Sequence, residues 1–86
     1  MHYLLEYTLK SDPLPLFSLD CSGQLCPAPI LMTEEKITDM RAGEILEVIF
    51  TDPGAEPDLK TWCLASGHEF LGIKKERSKG AAYIKK

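Results

Sequence analysis

The strongest strand signal in the chain is the stretch Glu44-Ile45-Leu46-Glu47-Val48-Ile49-Phe50-Thr51. Most of its interior consists of β-branched and aromatic residues, which favour strands. Its apolar residues are nearly continuous, a pattern typical of a strand in the centre of a sheet. We therefore expect this stretch to form the central strand and the flanking elements to pack around it.

A helix is predicted on each side of this strand. The first covers residues 27–40 and ends before Gly43, the position that glycine commonly takes after a helix. The second covers residues 56–66, with Pro57 in its first turn and Gly67 past its end. Helical spacing predicts that the inner faces consist of Ile30, Thr33, Ile37 and Met40 in the first helix, and of Leu59, Trp62, Cys63 and Ser66 in the second.

Three further strands complete the predicted fold. Residues 14–20 have the pattern of a strand ahead of the first helix. Residues 68–77 and 81–86 indicate two strands, joined by a hairpin turn at Ser78-Lys79-Gly80. The resulting order, βαβαββ, predicts an α+β fold: a two-layer α/β sandwich in which a mixed four-stranded sheet carries both helices on one face.

The length of 86 residues allows one domain, because a second core does not fit in so short a chain. We place this domain at residues 14–86 and interpret residues 1–13 as an N-terminal extension, in which residues 2–9 could add an edge strand.

The net charge of -3 argues against direct nucleic-acid binding, which needs a basic surface. Six of the ten basic residues nevertheless lie from Lys74 onward, and such a run could meet an acidic partner or form a solvated sheet face.

No membrane or export segment is predicted. The first residues lack a basic region, their apolar run breaks at Glu6, and no apolar stretch approaches the ~20 residues of a spanning helix. We therefore predict a soluble, cytoplasmic protein with no membrane association. In that compartment, three cysteines indicate thiol chemistry or core packing more readily than disulfides.

Cys26 is the candidate catalytic residue, because it stands where the first helix is predicted to begin. At the N-cap its sulfur would face unpaired N–H groups of Ala28, Ile30 and Leu31, and the helix dipole would favour the thiolate. We therefore expect the pKa of the Cys26 thiol to lie below its ordinary value. The thiolate is the form that attacks sulfur and that carries a persulfide.

A family signature surrounds this cysteine. The stretch Leu19-Asp20-Cys21-Ser22-Gly23-Gln24-Leu25-Cys26-Pro27-Ala28-Pro29 resembles that of the TusA/SirA-like sulfur-carrier (sulfurtransferase) family, which has an aspartate, a glycine and then a Cys-Pro-x-Pro (CPxP) motif. The resemblance continues through residues 41–44 and 51–54, and it covers roughly residues 17–86. Many members carry a basic residue between the aspartate and the motif cysteine, whereas this chain has none there.

The resemblance implies a sulfur carrier whose motif cysteine, Cys26, accepts sulfur as a persulfide and passes it to another protein in a sulfur relay. The implied positioning residues are Asp20, Gly23, Pro27 and Pro29. The implied partners are a cysteine desulfurase or rhodanese-type sulfur donor and a downstream sulfur-acceptor protein, with no cofactor. Whether such a carrier is an enzyme in its own right stays open.

The other thiols have competing interpretations. Cys21 could resolve a persulfide or sulfenate on Cys26 as a disulfide, although burial at the end of the first strand is the favoured interpretation. Cys63 shares a helix face with Leu59 and is expected in the core. Cys21, Cys26, Cys63 and His68 do not have the spacing of a compact zinc site, so no metal site is predicted.

Two further functions stay open from the sequence. One is a non-catalytic regulatory or adaptor domain that binds a protein through the sheet face without helices. The other is a thiol-disulfide redox module that uses Cys21 and Cys26. Leu31 and Met32, one turn from Cys26, either pack over the sheet edge or form an apolar collar that a partner covers.

Overall fold

A computed structural model describes residues 4–5, 15 and 17–86. The elements are β1 (Leu4–Leu5), β2 (Phe17–Cys21), α1 (Ala28–Thr38), β3 (Ile45–Phe50), α2 (Ala55–Ser66), β4 (Glu69–Glu76) and β5 (Lys79–Lys85). From β2 onward this is the predicted βαβαββ order. Of the predicted first strand, Pro15 is not in a strand, and residues 14 and 16 lie outside the described part of the chain.

The strands form one mixed sheet in the order β1-β4-β5-β3-β2. β3 pairs in parallel with β2 and antiparallel with β5, and β5 pairs antiparallel with β4. The predicted mixed four-stranded sheet is therefore confirmed, with β3 in its interior. β1 adds a two-residue strand beside β4, within the segment where an edge strand was considered, and the rest of residues 1–14 lies outside the described part of the chain.

The core lies between the sheet and the two helices. Along β3, Leu46, Val48 and Phe50 are buried, while the alternate residues are partly exposed. This period of two sends one set of side chains toward the helices and the other to the opposite face. The helix-facing set on β3 meets buried or partly buried partners on both neighbouring strands, so the central strand anchors the core.

The inner faces of the helices largely match the spacing of the sequence. Thr33, Ile37 and Met40 are buried, and Ile30 packs partly against the core. In α2 the buried residues are Ala55, Leu59 and Cys63, and Trp62 packs against them. Ser66 was wrongly placed on this face: it is exposed, and its hydroxyl donates to the carbonyl of Trp62 at 2.7 Å.

α1 ends two residues earlier than predicted, at Thr38. The N–H groups of Asp39 and Met40 bond three residues back, so the last turn tightens out of α-helical geometry. The ammonium group of Lys86 donates to the carbonyls of Ile37 at 2.7 Å and Met40 at 2.6 Å. A cation here satisfies carbonyls that the helix leaves unpaired and interacts favourably with the dipole.

The hairpin between β4 and β5 turns earlier than predicted. Glu76 pairs with Lys79, which leaves Arg77 and Ser78 as the turn and makes Lys79 and Gly80 part of β5. Gly80 lies opposite the buried ring of Phe50, where a Cβ would come within 2.5 Å of the ring. Gly80 is therefore required by a close approach inside the sheet, and it does not form the turn.

Neither helix of the described residues has the length and apolar character needed to cross a bilayer.

Because Cys63 is packed in the core, its substitution is expected to lower stability and to leave the chemistry of the Cys26 thiol intact. Cys63 is only 1% exposed, and burial raises the pKa of its thiol to about 11. Cys63→Ala should lower the free energy of unfolding by about 1 kcal/mol or somewhat more, because it removes a small buried apolar group. Urea unfolding measures this change. The control is Leu64→Ala, one residue along the same helix and 86% exposed, which should change stability by less than about 0.5 kcal/mol. An equal effect of the two substitutions would contradict the packing role.

Candidate functional site

The candidate site lies where the parallel strands β2 and β3 end. Cys21 and Phe50 are paired in register at the ends of these strands. Because the strands are parallel and end together, the loop from β2 to α1 and the loop from β3 to α2 leave the sheet side by side. This topology brings Cys26 next to residues that are distant in sequence.

The loop from β3 to α2 holds the loop from β2 to α1 by accepting hydrogen bonds from its main-chain N–H groups. The N–H of Gly23 donates to the Thr51 hydroxyl at 2.8 Å, and the N–H of Cys26 donates to Asp52 Oδ2 at 2.9 Å. The other oxygen of Asp52 accepts from the N–H of Gly54 at 3.2 Å, which closes the Asp52 turn on itself. Gly23 has a φ of 79°, a left-handed conformation that glycine adopts without strain. The position of Cys26 is therefore set by Thr51 and Asp52.

The thiol of Cys26 is hydrogen-bonded to a carboxylate. Cys26 is exposed, and its Sγ donates to Asp58 Oδ2 at 2.6 Å. Asp58 lies near the start of α2, where a negative charge interacts favourably with the helix dipole. The hydrogen bond to Asp58, followed by partial desolvation and then by the charges of Asp58 and Asp52, holds the pKa of the Cys26 thiol above its ordinary value. The thiol form is therefore favoured over the thiolate more strongly than in an ordinary cysteine.

The expected lowering of this pKa is wrong, and the local backbone shows why. The N-cap of α1 is Pro27, so Cys26 precedes the position predicted for it, and the peptide bond between the two is cis. The N–H of Ala28 donates to the Leu25 carbonyl, and those of Ile30 and Leu31 donate to the Pro27 carbonyl, at 2.8–3.2 Å. All three amides expected near the sulfur are thus engaged elsewhere. The sulfur is instead hydrogen-bonded to the Asp58 carboxylate, which favours the thiol form.

The other predicted positioning residues occupy different environments. Pro29 is buried in α1, whereas Pro27 is exposed beside Cys26. Asp20 is on the strand β2, and its carboxylate accepts from the main-chain N–H of Ser22 at 2.9 Å. The Ser22 side chain and this N–H hold the pKa of Asp20 below its ordinary value. Asp20 therefore shapes the start of the loop and is not hydrogen-bonded to the thiol of Cys26.

The remaining candidate ligands are not brought together with Cys26. Cys21 is 0% exposed on the helix-facing side of β2, and Cys63 is in the core beneath α2. His68 packs against the Trp62 ring, with 5.2 Å between the ring centroids. Within the part of the chain that the structure describes, no group of three His, Cys, Asp or Glu side chains is arranged to hold a metal ion.

Exposed leucines flank the thiol along the chain. Leu25, immediately before Cys26, is 74% exposed, and Leu31, in the next turn of α1, is 58% exposed. Met32 instead packs partly against the core. The collar considered from the sequence therefore involves Leu31 together with Leu25, which sequence analysis had not selected.

Three functional residues were missed from sequence alone: Thr51, Asp52 and Asp58. Thr51 and Asp52 follow the central strand, and the carboxyl ends of adjacent parallel strands are where loops meet. That rule could have indicated them. For Asp58 the only available signal was an acidic residue near a helix start, which is common on any helix surface.

Substitution of Asp58 by asparagine should make Cys26 more reactive. The carboxylate stabilises the protonated thiol, so its neutralisation should lower the pKa of Cys26 and move the alkylation midpoint to lower pH. Iodoacetamide alkylation of Cys26, followed against pH by peptide mass spectrometry, measures the midpoint. The control is Asp39→Asn, since Asp39 is exposed at the far end of α1 and should leave the midpoint unchanged. A higher midpoint in Asp58→Asn than in the unsubstituted chain would contradict the role given to the carboxylate.

Comparison with known proteins places this chain in a family. The model of the family described as Sulfurtransferase TusA matches residues 17–86. A protein of Aquifex aeolicus named "Putative sulfur carrier protein" is 48% identical over 69 residues, which is 80% of this chain and 35% of that protein. The chain thus spans about a third of the length of the first curated relatives that it matches.

A relative of similar length and a solved structure agree with this match. "Sulfur carrier protein TusA" of Pseudomonas entomophila is 36% identical over 69 residues, covering 80% of this chain and 86% of that protein. The crystal structure of a SirA-like protein from Desulfitobacterium hafniense has the same fold, with a TM-score of 0.68, 20% identity and coverage of 81% of this chain and 96% of that one. Because the family model covers the whole region from β2 to the last residue, and a relative of similar length is more than a third identical, this chain belongs to the Sulfurtransferase TusA family.

Proposed function

We propose that this chain is a sulfur carrier that accepts sulfur as a persulfide on Cys26 and passes it to another protein. The observation that carries this proposal is that Cys26 is the exposed thiol among the three cysteines of the chain. It is presented on a loop fixed from the neighbouring strand, within the region that matches the family. The names of the relatives, sulfur carrier proteins, agree with this role.

The proposed transfer balances without an external oxidant or reductant. Sγ of Cys26 attacks the terminal sulfur of a donor persulfide and forms a new S–S bond. The S–S bond of the donor breaks, and its electron pair goes to the donor cysteine sulfur. The thiol proton of Cys26 passes to that leaving sulfur, so the donor becomes a thiol and Cys26 becomes a persulfide. The second transfer, to the acceptor, repeats the same exchange with the chain as the donor.

Asp58 gives this carrier a protected resting state. Since the nucleophile is the thiolate, a thiol held protonated by a carboxylate reacts slowly with small electrophiles and oxidants. A partner that displaces or neutralises Asp58 would raise the thiolate fraction and so speed the transfer. Such a dependence favours protein partners over free small molecules as sulfur donors.

The proposed partners are a cysteine desulfurase or rhodanese-type protein as the sulfur donor and a second protein as the acceptor. Both would present a cysteine persulfide or thiol to Cys26, and the exposed Leu25 and Leu31 beside it suit contact with a protein surface. We propose the cytoplasm as the site of action, where free thiols such as these three persist.

The alternative roles have less support. A redox module would need Cys21 to attack Cys26, yet Cys21 is fully buried, and burial followed by the charge of Asp20 raises the pKa of its thiol. A purely structural role for Cys26 would not explain why its thiol is exposed and hydrogen-bonded to Asp58. No observation on the described residues favours the adaptor function over the carrier.

Cys26→Ser should abolish persulfide loading and leave the fold intact. The serine hydroxyl can donate to Asp58 as the thiol does, while the sulfur nucleophile is removed. The assay uses a cysteine desulfurase with radiolabelled cysteine and measures label on the chain, with mass spectrometry to locate an adduct of about 32 Da, the mass of one sulfur atom.

The matched control is Cys63→Ala, which removes a buried thiol and should retain loading. Circular dichroism establishes that each variant is folded. Label on folded Cys26→Ser at the level of the unsubstituted chain would refute the assignment of the carrier thiol. Loss of about 2 Da in place of the gain would instead indicate a Cys21–Cys26 disulfide.

A further inference from the structure

A basic pocket lies at the same end of the sheet as Cys26. It has a volume of about 240 Å³ and is formed between the end of β3, the loop that follows it and the β4–β5 hairpin. Phe50, Pro53 and Gly80 supply apolar walls. Since Gly80 has no side chain, the buried Phe50 ring approaches its backbone closely beside the pocket.

The charges that line this pocket are all positive. Lys75, Arg77 and Lys79 contribute to the lining, and none of the described residues contributes a carboxylate to it. Lys75 is already paired with Glu56 at 3.0 Å. Among the described residues, by contrast, no carboxylate forms an ion pair with Arg77 or Lys79, although the charge of Lys79 also acts on Asp20. The charged side chains of the described lining are therefore cationic, in a chain of net charge -3.

The pocket shares a wall with the loop that positions the thiol. Thr51 lines the pocket and accepts the hydrogen bond from Gly23. Asp52, between the pocket residues Thr51 and Pro53, accepts the hydrogen bond from Cys26. A segment bound in the pocket would therefore contact the same loop that holds the reactive cysteine.

We infer that this hairpin pocket, defined by Phe50, Thr51, Pro53, Arg77, Lys79 and Gly80, binds an acidic segment of a partner protein and so aligns that partner with Cys26. The role of this partner in sulfur transfer rests on the proposed function, whereas the binding of its acidic segment rests only on the pocket. Charge complementarity selects carboxylate side chains, and the apolar walls suit the methylene groups that carry them. This end of the sheet thus carries the carboxylates Asp52 and Asp58 beside the thiol and cations in the pocket. Such a separation of charge favours one orientation of a bound partner.

A protein segment suits the pocket better than a free oxyanion. The pocket is open, and Arg77 and Lys79, which form no ion pair with a described carboxylate, are exposed residues of a hairpin. Exposed charges contribute little each, so useful affinity requires several carboxylates on one chain. A single small anion would gain too little from such contacts to bind at low concentration.

The test is a titration of the isotopically labelled chain at low ionic strength, where surface charges are least screened. The probe is a hexaglutamate peptide, with hexaglutamine as the neutral peptide and sodium sulfate as the small anion. Amide shifts are expected to concentrate at Phe50, Thr51, Arg77 and Gly80 with hexaglutamate, and to be absent with hexaglutamine. Sulfate that binds the pocket as tightly as hexaglutamate would overturn the inference in favour of a small-anion site.

Two matched double variants decide whether the pocket is specific. Arg77→Gln with Lys79→Gln should weaken hexaglutamate binding by about fivefold or more, as expected for the loss of two exposed charge contacts. Arg41→Gln with Lys85→Gln changes the net charge equally at the opposite end of the sheet and should have little effect. Equal weakening by both pairs, or shifts spread evenly over the chain, would overturn the inference. The titration involves no sulfur chemistry, so its failure would leave the assay of Cys26 loading unaffected.

Discussion

The parallel pairing of β2 with β3 is the constraint on which the site depends. Its register ends both strands together, at Cys21 and Phe50. The loop that carries Cys26 has no capping side chain at the start of α1, and it obtains its anchors from Thr51 and Asp52 across the pair. A shift of one residue in this register would move the alternate side chains of β2 to the other face of the sheet and separate Cys26 from its anchors. The pairing of β2 with β3 therefore sets both the packing of the core on these strands and the position of Cys26.

The electrostatics of Cys26 illustrate a competition between a helix dipole and a nearby charge. A cysteine at a helix start is ordinarily expected to be acidic, because unpaired amides face the sulfur. Here the amides of Ala28, Ile30 and Leu31 bond to carbonyls, and the thiol donates to Asp58 at 2.6 Å. The carboxylate stabilises the thiol form and disfavours the thiolate. At rest, the thiol form of Cys26 is therefore favoured more strongly than in a cysteine without such a partner.

For the alignment of a partner, the distribution of charge over the surface matters more than the net charge of the chain. A net charge of -3 describes the whole chain, yet one end of the sheet carries carboxylates beside the thiol and cations on the hairpin. The hairpin cations are adjacent because Glu76 pairs with Lys79 and leaves only Arg77 and Ser78 in the turn. Opposite charges on one rigid surface favour a single orientation of a bipolar partner, and they act mainly on encounter and alignment.

The sequence by itself determined the order of elements, the interior strand β3 and most of the core, and it singled out Cys26 as the candidate site residue. These follow from local causes: periodicity places Val48 and Ile37 inward, and a Cys-Pro-x-Pro stretch between a strand and a helix marks Cys26. Several local boundaries were wrong, such as the hairpin turn, because the contact of Gly80 with Phe50 involves strands far apart in the chain. Only the tertiary structure decided the direction in which the pKa of the thiol is shifted, since Asp52 and Asp58 lie 26 and 32 residues from Cys26 and meet it through strand pairing and the packing of α2. A pKa depends on groups within a few ångströms, and no local pattern states which distant carboxylate will be there.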